Sequence, residues 1–262
     1  LVFPGFRVAE EVTPYNIRYI TGMRVNHIIG VLTKEIQKAL VYTVLHKKNE
    51  CNDSEKSKCC KLAEKTAITI IENLPEIRRK IMLDAAAAFK GDPAAKSNED
   101  IILSYPGLEA ILVYRIANVL YKNGVPIIPR IMTEHVHGKT GIDINPGAEI
   151  GESFFIDHGT GIVIGETCVI GNNVKIYQGV TLGALSVAKD KKDTVRHPNI
   201  GDNVVIYSGA TILGSGHIGH DSTIGGNVWL TEGIDPYTVI YYKSEMITKG
   251  KNLSPEPIFF HI

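Results

Sequence analysis

Two short polar segments hold the side chains best suited to chemistry. Asp157-His158-Gly159-Thr160-Gly161 places a histidine beside a carboxylate, and Arg196-His197-Pro198 places a guanidinium beside an imidazole. An imidazole, with an ordinary pKa of about 6.5, accepts a proton near neutral pH. A planar guanidinium binds a carboxylate through two parallel hydrogen bonds. These residue types suit general-base chemistry and carboxylate binding. The alternatives are that His158 is an exposed loop histidine and that Arg196 is a solvated loop cation.

Both segments interrupt a repeat in which an aliphatic residue returns at every sixth position. A helix repeats every 3.6 residues and a flat strand every two, so this repeat predicts short strands around a triangular coil, a parallel β-helix. The step from Ile156 to Ile164 is eight residues, and residues 183–199 lack the repeat altogether. Such departures on a rigid scaffold are where function is expected. The repeat positions are Ile144, Ile150, Ile156, Ile164, Ile170, Ile176, Leu182, Ile200, Ile206, Ile212, Ile218, Ile224 and Leu230.

The chain before the repeat has the periodicity of helices. Apolar residues recur every three or four positions from Thr13 to Lys48, which predicts an amphipathic helix interrupted near Gly22 and Gly30. The lysine-rich stretch from Lys47 to Lys61 predicts a solvated loop.

Further helices are predicted closer to the coil. Pro75 is predicted to begin a helix that ends at Gly91-Asp92-Pro93, and residues 108–123 form another that closes on Gly124. The expected fold class is therefore α+β. An N-terminal helical domain of residues 1–137 precedes a β-helix domain of residues 138–242 and an extended tail of residues 243–262.

The stretch Gly214-Ser215-Gly216-His217-Ile218-Gly219 fits the dinucleotide-binding pattern G-x-G-x-x-G. A true fingerprint follows a buried strand and opens a helix. Here the glycines belong to successive turns of the coil, so nucleotide binding is not expected.

Composition excludes several classes of partner. Lys plus Arg and Asp plus Glu both number 28, so no basic surface indicates nucleic acid or anionic lipid. No apolar run approaches the roughly 18 residues of a membrane span. The four cysteines fit neither a zinc pattern nor a disulfide framework, which favours a cytoplasmic protein with reduced thiols. A small molecule or another protein is the expected partner.

In its motifs, the sequence resembles the serine acetyltransferases of the hexapeptide-repeat acyltransferase superfamily. The resemblance extends from about Asp92 onward and implies a left-handed coil. The family usually has a histidine where Asn145 stands and a second glycine where Ala184 stands. The matching segments are Gly91 to Ala95, Ile142 to Ala148, Asp157 to Thr167, Gly179 to Gly183 and Arg196 to Pro198.

The resemblance implies transfer of the acetyl group of acetyl-CoA to the hydroxyl of L-serine, which gives O-acetylserine as the first step of cysteine biosynthesis. His158 is the predicted general base, because a serine hydroxyl must lose its proton to attack a thioester. Asp143 lies roughly one coil before the insertion that carries His158, which predicts that it orients the imidazole. Cys168 falls within the repeat, so direct transfer in a ternary complex is expected instead of an acyl-cysteine intermediate.

The resemblance also implies the binding residues. Arg196 and His197 are expected at the carboxylate of serine, and Asp92 and Asp157 at its ammonium group. No metal is expected. The residues expected at acetyl-CoA are Gly183, Ala184, Ser208, Gly209 and Gly226.

Three protein-level expectations follow from the resemblance. The family builds its active sites between the coils of a homotrimer, which the helical halves pair into a dimer of trimers. Feedback inhibition by cysteine is expected at the serine site. The C-terminal residue, Ile262, is expected to enter O-acetylserine sulfhydrylase, the next enzyme. The alternative is a tail that packs its apolar residues against its own coil.

Other functions fit parts of the pattern. β-Helical carbonic anhydrases bind zinc between subunits through three histidines. This hypothesis leaves the Arg196-His197-Pro198 and Asp92-Pro93-Ala94 segments without a purpose. An acetyltransferase for homoserine, a sugar or an antibiotic would use the same coil, whereas a non-catalytic scaffold leaves the eight-residue step unexplained. The candidate zinc ligands are His135, His137, His158, His197, His217 and His220.

Overall fold

The computed structural model describes residues 2–3, 12–185 and 194–243. These residues form five helices followed by fourteen short strands. None of the helices in these ranges is long and apolar enough to cross a membrane. The helices are α1 (Ile17–Lys48), α2 (Asp53–Gly91), α3 (Asn98–Ser104), α4 (Pro106–Lys122) and α5 (Ile128–Thr140).

Three predictions about the helices were wrong. Helix α1 runs without interruption through Gly22 and Gly30, whose Cα atoms face open space. The predicted lysine-rich loop is mostly helical, because Asn52 and Glu55 form a reciprocal capping box that begins α2 at Asp53. Pro75 lies inside α2 instead of beginning a helix. The predicted end of this helix at Gly91 is confirmed.

The strands form three parallel sheets that wrap a left-handed triangular coil. Sheet A contains β1 (Ile142–Ile144), β4 (Ile162–Ile164), β7 (Thr181–Gly183), β10 (Thr211–Leu213) and β13 (Trp229–Leu230). Sheet B contains β2 (Glu149–Ile150), β5 (Val169–Ile170), β8 (Asn199–Ile200) and β11 (His217–Ile218). Sheet C contains β3 (Phe155–Asp157), β6 (Lys175–Tyr177), β9 (Val205–Ile206), β12 (Thr223–Ile224) and β14 (Val239–Ile240).

The predicted stacking of the repeat positions is confirmed. In sheet A, Ile144 pairs with Ile164, which pairs with Leu182, and the column continues through Ile212 to Leu230. All of these except Leu230 are fully buried. The coil is thus filled by aliphatic side chains in layers, which holds its three edges in fixed positions.

The helices share a core with the first coils. Ile81, Ala85 and Leu108 belong to the same buried cluster as Phe154 and Ile156. This packing brings the C-terminal end of α2 against the outer face of sheet C. Helix α5 ends at Thr140 and leads directly into β1.

Candidate active site

His158 lies at the edge where the chain passes from sheet C to sheet A, which we call the C–A edge. The two extra residues of the eight-residue step form a tight turn here, with positive φ at His158 (59°), Gly159 (92°) and Gly161 (81°). The His158 side chain is 71% exposed, and its Nε2 atom lies 3.6 Å from Asp157 Oδ1. The imidazole is therefore accessible to a substrate.

Asp157 and Asp92 both lie close to this turn. Lys175 Nζ lies 3.1 Å from Asp157 Oδ2 and donates a 2.8 Å hydrogen bond to the carbonyl of Gly91, the residue before Asp92. The Asp92 carboxylate accepts from the Tyr105 hydroxyl and from the amide of Ala94. The Tyr105 hydrogen bond is the main cause that lowers the pKa of Asp92, and His158 and Lys175 contribute through their charge. Two carboxylates and an imidazole therefore share one small region.

Lys175 and Tyr105 are members of this group that the sequence interpretation missed. Lys175 is a half-buried lysine at the start of β6, one residue before a repeat position, and Tyr105 precedes Pro106 at the start of α4. Burial opposes the charge of Lys175, but interactions with Tyr177 and Asp157 outweigh it and raise the pKa of the ammonium group. Lys175 lies about one coil after its partner Asp157. Its contact with Gly91 and the contact of Tyr105 with Asp92 form only through helix packing, which the residue spacing does not show.

Asp143 is held by α5 instead of by His158. The Arg130 guanidinium donates to both of its carboxylate oxygens, at 3.0 and 3.4 Å. Within the described residues, no hydrogen bond or ion pair joins Asp143 to His158. Potential ligand atoms of Glu134, His137 and Asp143 lie within 4.8 Å of one another. Arg130 pairs with Glu134 as well, so its positive charge opposes a cation at this place.

Within the described part of one chain, the histidines do not converge on a three-histidine zinc site. The carbonic anhydrase hypothesis places its zinc between subunits. In the described part of the chain, the one group of three convergent potential ligands is that of Glu134, His137 and Asp143, which holds a single histidine. His217 and His220 lie on sheet B and beyond it, and His220 pairs with Asp221 at 2.6 Å.

Arg196 and His197 lie at another edge, where the chain passes from sheet A to sheet B, the A–B edge. His197 is buried, and its Nδ1 accepts the Thr167 amide at 3.1 Å. Burial, and secondarily the charge of Arg196, lowers the pKa of His197. Arg196 pairs with Glu166, whose other oxygen accepts the Tyr121 hydroxyl at 3.0 Å. The loop thus presents a fixed guanidinium.

The three-residue strands of sheet A separate the two edges by roughly 10 Å. One copy of the chain therefore brings together Asp92, Asp157 and His158, and separately Arg196 and His197, but does not join the two groups.

The residues expected at acetyl-CoA also divide between these edges. Gly183 and Ala184 lie at the A–B edge, where Asn145 accepts the Gly147 amide in a turn. Ser208, Gly209 and Gly226 lie at the C–A edge above His158. Gly161, Gly179 and Gly209, all with positive φ, stack there on one another and leave a column without side chains. Ile262 lies outside the described residues.

Comparisons with known proteins give the family of the chain. No protein-family model matches the chain. The serine acetyltransferase of Synechococcus elongatus carried on a plasmid is 44% identical over 239 residues, which cover 89% of this chain and 74% of that protein.

Solved structures of serine acetyltransferases have the same fold. Isoform 3 from Entamoeba histolytica, in complex with cysteine, is 37% identical and has a TM-score of 0.75, covering 96% of this chain and 81% of that chain. A serine acetyltransferase in complex with CoA is 28% identical with a TM-score of 0.60, covering 87% of this chain and 88% of that chain. The chain belongs to the serine acetyltransferase family and is an enzyme that acetylates serine.

Proposed function

We propose that the chain transfers the acetyl group of acetyl-CoA directly to the hydroxyl of L-serine, with His158 as the general base. The grouping of the exposed imidazole with Asp92 and Asp157 carries this proposal. The ammonium group of serine lies between the two carboxylates, which turns its hydroxyl toward the imidazole. The products are O-acetylserine and CoA, at the start of the route to cysteine.

The chemical step needs a single proton carrier. His158 takes the hydroxyl proton as the serine oxygen bonds to the thioester carbon, and the C–S bond then breaks. The departing sulfur takes the proton back from the imidazolium, so both His158 and the enzyme return to their starting state.

Direct transfer is supported by the environment of Cys168. This thiol is fully buried in the coil, and burial raises its pKa to about 12. A thiol that stays protonated inside the core is neither nucleophilic nor accessible to a thioester. An acyl-enzyme on Cys168 is therefore disfavoured.

The orienting role of Asp143 is part of the proposal. Its carboxylate must exchange Arg130 for the imidazole when the ternary complex forms. We expect Asp143→Asn to lower turnover less than loss of His158, because an amide still orients a ring but does not stabilise its charge.

A second copy of the chain completes the proposed site. The serine carboxylate needs Arg196 and His197, which lie at the A–B edge, whereas the base lies at the C–A edge. In a trimer with the C–A edge of each coil beside the A–B edge of the next, the two groups face one another. Helix α1 has a single buried residue, Ile36, and exposes Tyr19, Met23, Val31 and Tyr42, which supports pairing of the helical halves into a hexamer.

The same groove between two coils is proposed for acetyl-CoA. The glycine column above His158 admits the pantetheine arm, and backbone groups near Gly183 and Ser208 bond to it from the two sides. Cysteine differs from serine by a thiol in place of the hydroxyl, so we propose that it occupies the serine site as an inhibitor. The complex of the Entamoeba histolytica enzyme with cysteine supports this.

Association with O-acetylserine sulfhydrylase through Ile262 stays a prediction, because the residue lies outside the described part of the chain. Deletion of Ile262 should abolish that complex in calorimetry and leave acetyl transfer nearly unchanged.

A panel of acceptors tests the proposed reaction. Release of free CoA thiol from acetyl-CoA is measured with L-serine, L-homoserine and amino sugars at equal concentration. We expect turnover with serine to exceed the others. Faster turnover with another acceptor would contradict the assignment.

A further inference from the structure

Lys175 has no role in the reaction proposed above, yet its ammonium group lies beside the site. Its side chain is 18% exposed. The Nζ atom contacts the Asp157 carboxylate at 3.1 Å and the Gly91 carbonyl at 2.8 Å. It also lies 4.8 and 4.5 Å from the ring centres of Phe155 and Tyr177, on whose faces a cation is stabilised.

These contacts fix two different carboxylates. Asp157 presents Oδ2 to Lys175 and Oδ1 to His158, so the lysine sets the plane of the carboxylate that faces the base. The Gly91 carbonyl belongs to the residue before Asp92, so the same ammonium group fixes the chain that carries Asp92. A Cβ atom at Gly91 would lie 2.9 Å from the Phe155 ring, so only glycine permits this close approach.

We propose that Lys175 is a positioning residue for the amino-acid acceptor, holding Asp157 and the end of α2 so that both carboxylates face one ammonium group. Its charge also balances one of the two carboxylates, so the pocket keeps one net negative charge, which matches one ammonium group. This inference rests on the proposed serine site.

Lys175→Met tests the proposal, because methionine keeps an unbranched stem between the two rings and removes the charge. We expect the KM for serine to rise roughly 10- to 100-fold, the equivalent of one charged hydrogen bond, with an unchanged KM for acetyl-CoA. Lys175→Arg keeps the charge and should recover most of the serine affinity. Lys175→Gln keeps an N–H donor without charge and should behave like Lys175→Met.

Arg79→Met is the matched control. Arg79 also ties α2 to the coil, through a 3.1 Å hydrogen bond to Glu152, and it does not contact Asp157. We expect this variant to keep the serine KM even where its thermal midpoint falls. An equal rise in serine KM for both variants would show that Lys175 acts only by docking α2, and would overturn the proposal.

A double-mutant cycle with Asp157→Asn separates the positioning role from general stability. Because Lys175 acts in part through Asp157, the double variant should raise the serine KM by less than the product of the two single effects. If the two substitutions change the serine KM independently of one another, Lys175 does not act through Asp157. If Asp157→Asn leaves the KM for serine unchanged, the proposed serine site is wrong. If Asp157→Asn raises this KM and Lys175→Met does not, only the proposed role of Lys175 is wrong.

Discussion

His158 combines an exposed imidazole with a backbone conformation that costs energy. A φ of 59° is left-handed, which is unfavourable for most residues by roughly 1–2 kcal/mol. Other non-glycine residues of the coil with positive φ are Ser153, Asn173, Asn203, Asp221, Asn227 and Tyr237. Asparagine is the most frequent residue at these positions, which makes it a suitable replacement for testing the chemical role of His158.

His158→Asn tests that role without disturbing the turn. Asparagine tolerates the left-handed backbone but does not accept a proton as imidazole does. We expect turnover to fall by roughly 10² to 10⁴, the usual contribution of general-base catalysis, with unchanged thermal midpoint and acetyl-CoA affinity. Steady-state kinetics and calorimetry measure these. Turnover equal to wild type would exclude His158 as the base.

His197 gives the fold a dependence on pH. Because burial lowers its pKa, the folded chain binds this proton less tightly than the unfolded chain does. The contribution of His197 to the free energy of unfolding is therefore fully present above its ordinary pKa, about 6.5. It decreases as the pH falls through that value.

We expect the thermal midpoint of His197→Asn to fall less between pH 7.5 and pH 5.5 than that of the wild-type protein. The amide oxygen of asparagine can still accept the Thr167 amide that His197 Nδ1 accepts. Differential scanning calorimetry of both proteins at the two pH values gives the comparison. An equally steep pH dependence in the variant would contradict the effect of burial.

The sequence predicted some residues of this site and missed others for a physical reason. His158 was identifiable because it interrupts a six-residue repeat, and the structure places it beside Asp157 as predicted from their adjacency. Lys175 and Tyr105 were missed because their partners, Gly91 and Asp92, lie far away in sequence and meet them only through helix packing. Arg130 was missed likewise, and it holds the carboxylate that was expected at the imidazole.

At the scale of elements, α2 and α4 are joined to the coil by a buried ion pair. Arg115 donates to both oxygens of Asp84, at 2.8 and 2.9 Å, and to the carbonyl of Gly151. Asp84 also accepts the Phe154 amide. Burial raises the pKa of Asp84 even against the charge of Arg115, which shows how strongly this carboxylate depends on its cation.

Arg115→Met should therefore destabilise the fold by roughly 3–5 kcal/mol, because it leaves a buried carboxylate unpaired. Lys139→Met is the control, since Lys139 pairs with Glu109 between α4 and α5 in an exposed position. We expect less than about 1 kcal/mol there. Urea unfolding followed by circular dichroism measures both. A smaller loss for Arg115→Met than for Lys139→Met would refute the tethering role.

The elements themselves were predictable to different degrees. The six-residue repeat has no competing helical or flat-sheet solution, so the coil and its stacking followed from the sequence alone. The bounds of the helices were harder to predict, because Gly22 and Pro75 lower the local helix propensity but do not end a helix. In α2, the capping box of Asn52 and Glu55 and the buried face around Ile70 and Ile77 outweigh the effect of Pro75.

At the scale of the whole molecule, the proposed residues lie at two edges of one coil. The base and the two carboxylates for the ammonium group lie at the C–A edge, and the guanidinium for the carboxylate lies at the A–B edge. Each group is fixed by its own contacts, Lys175 in one case and Glu166 in the other. A rigid aliphatic core does not bend to bring the two edges together, so the site that we propose includes residues of a second chain.

Mixed trimers test this proposal. His158→Ala inactivates the C–A edge of a chain and leaves its A–B edge intact, and Arg196→Ala does the reverse. Each variant alone should be nearly inactive. When the two are co-expressed in equal amounts and assemble at random, an interface with both intact edges arises in about one case in four, so roughly a quarter of wild-type activity should return. Purified parents mixed without subunit exchange serve as the control. Co-expressed protein no more active than its parents, although sedimentation shows mixed trimers, would place all of the site residues within one chain and refute the shared site.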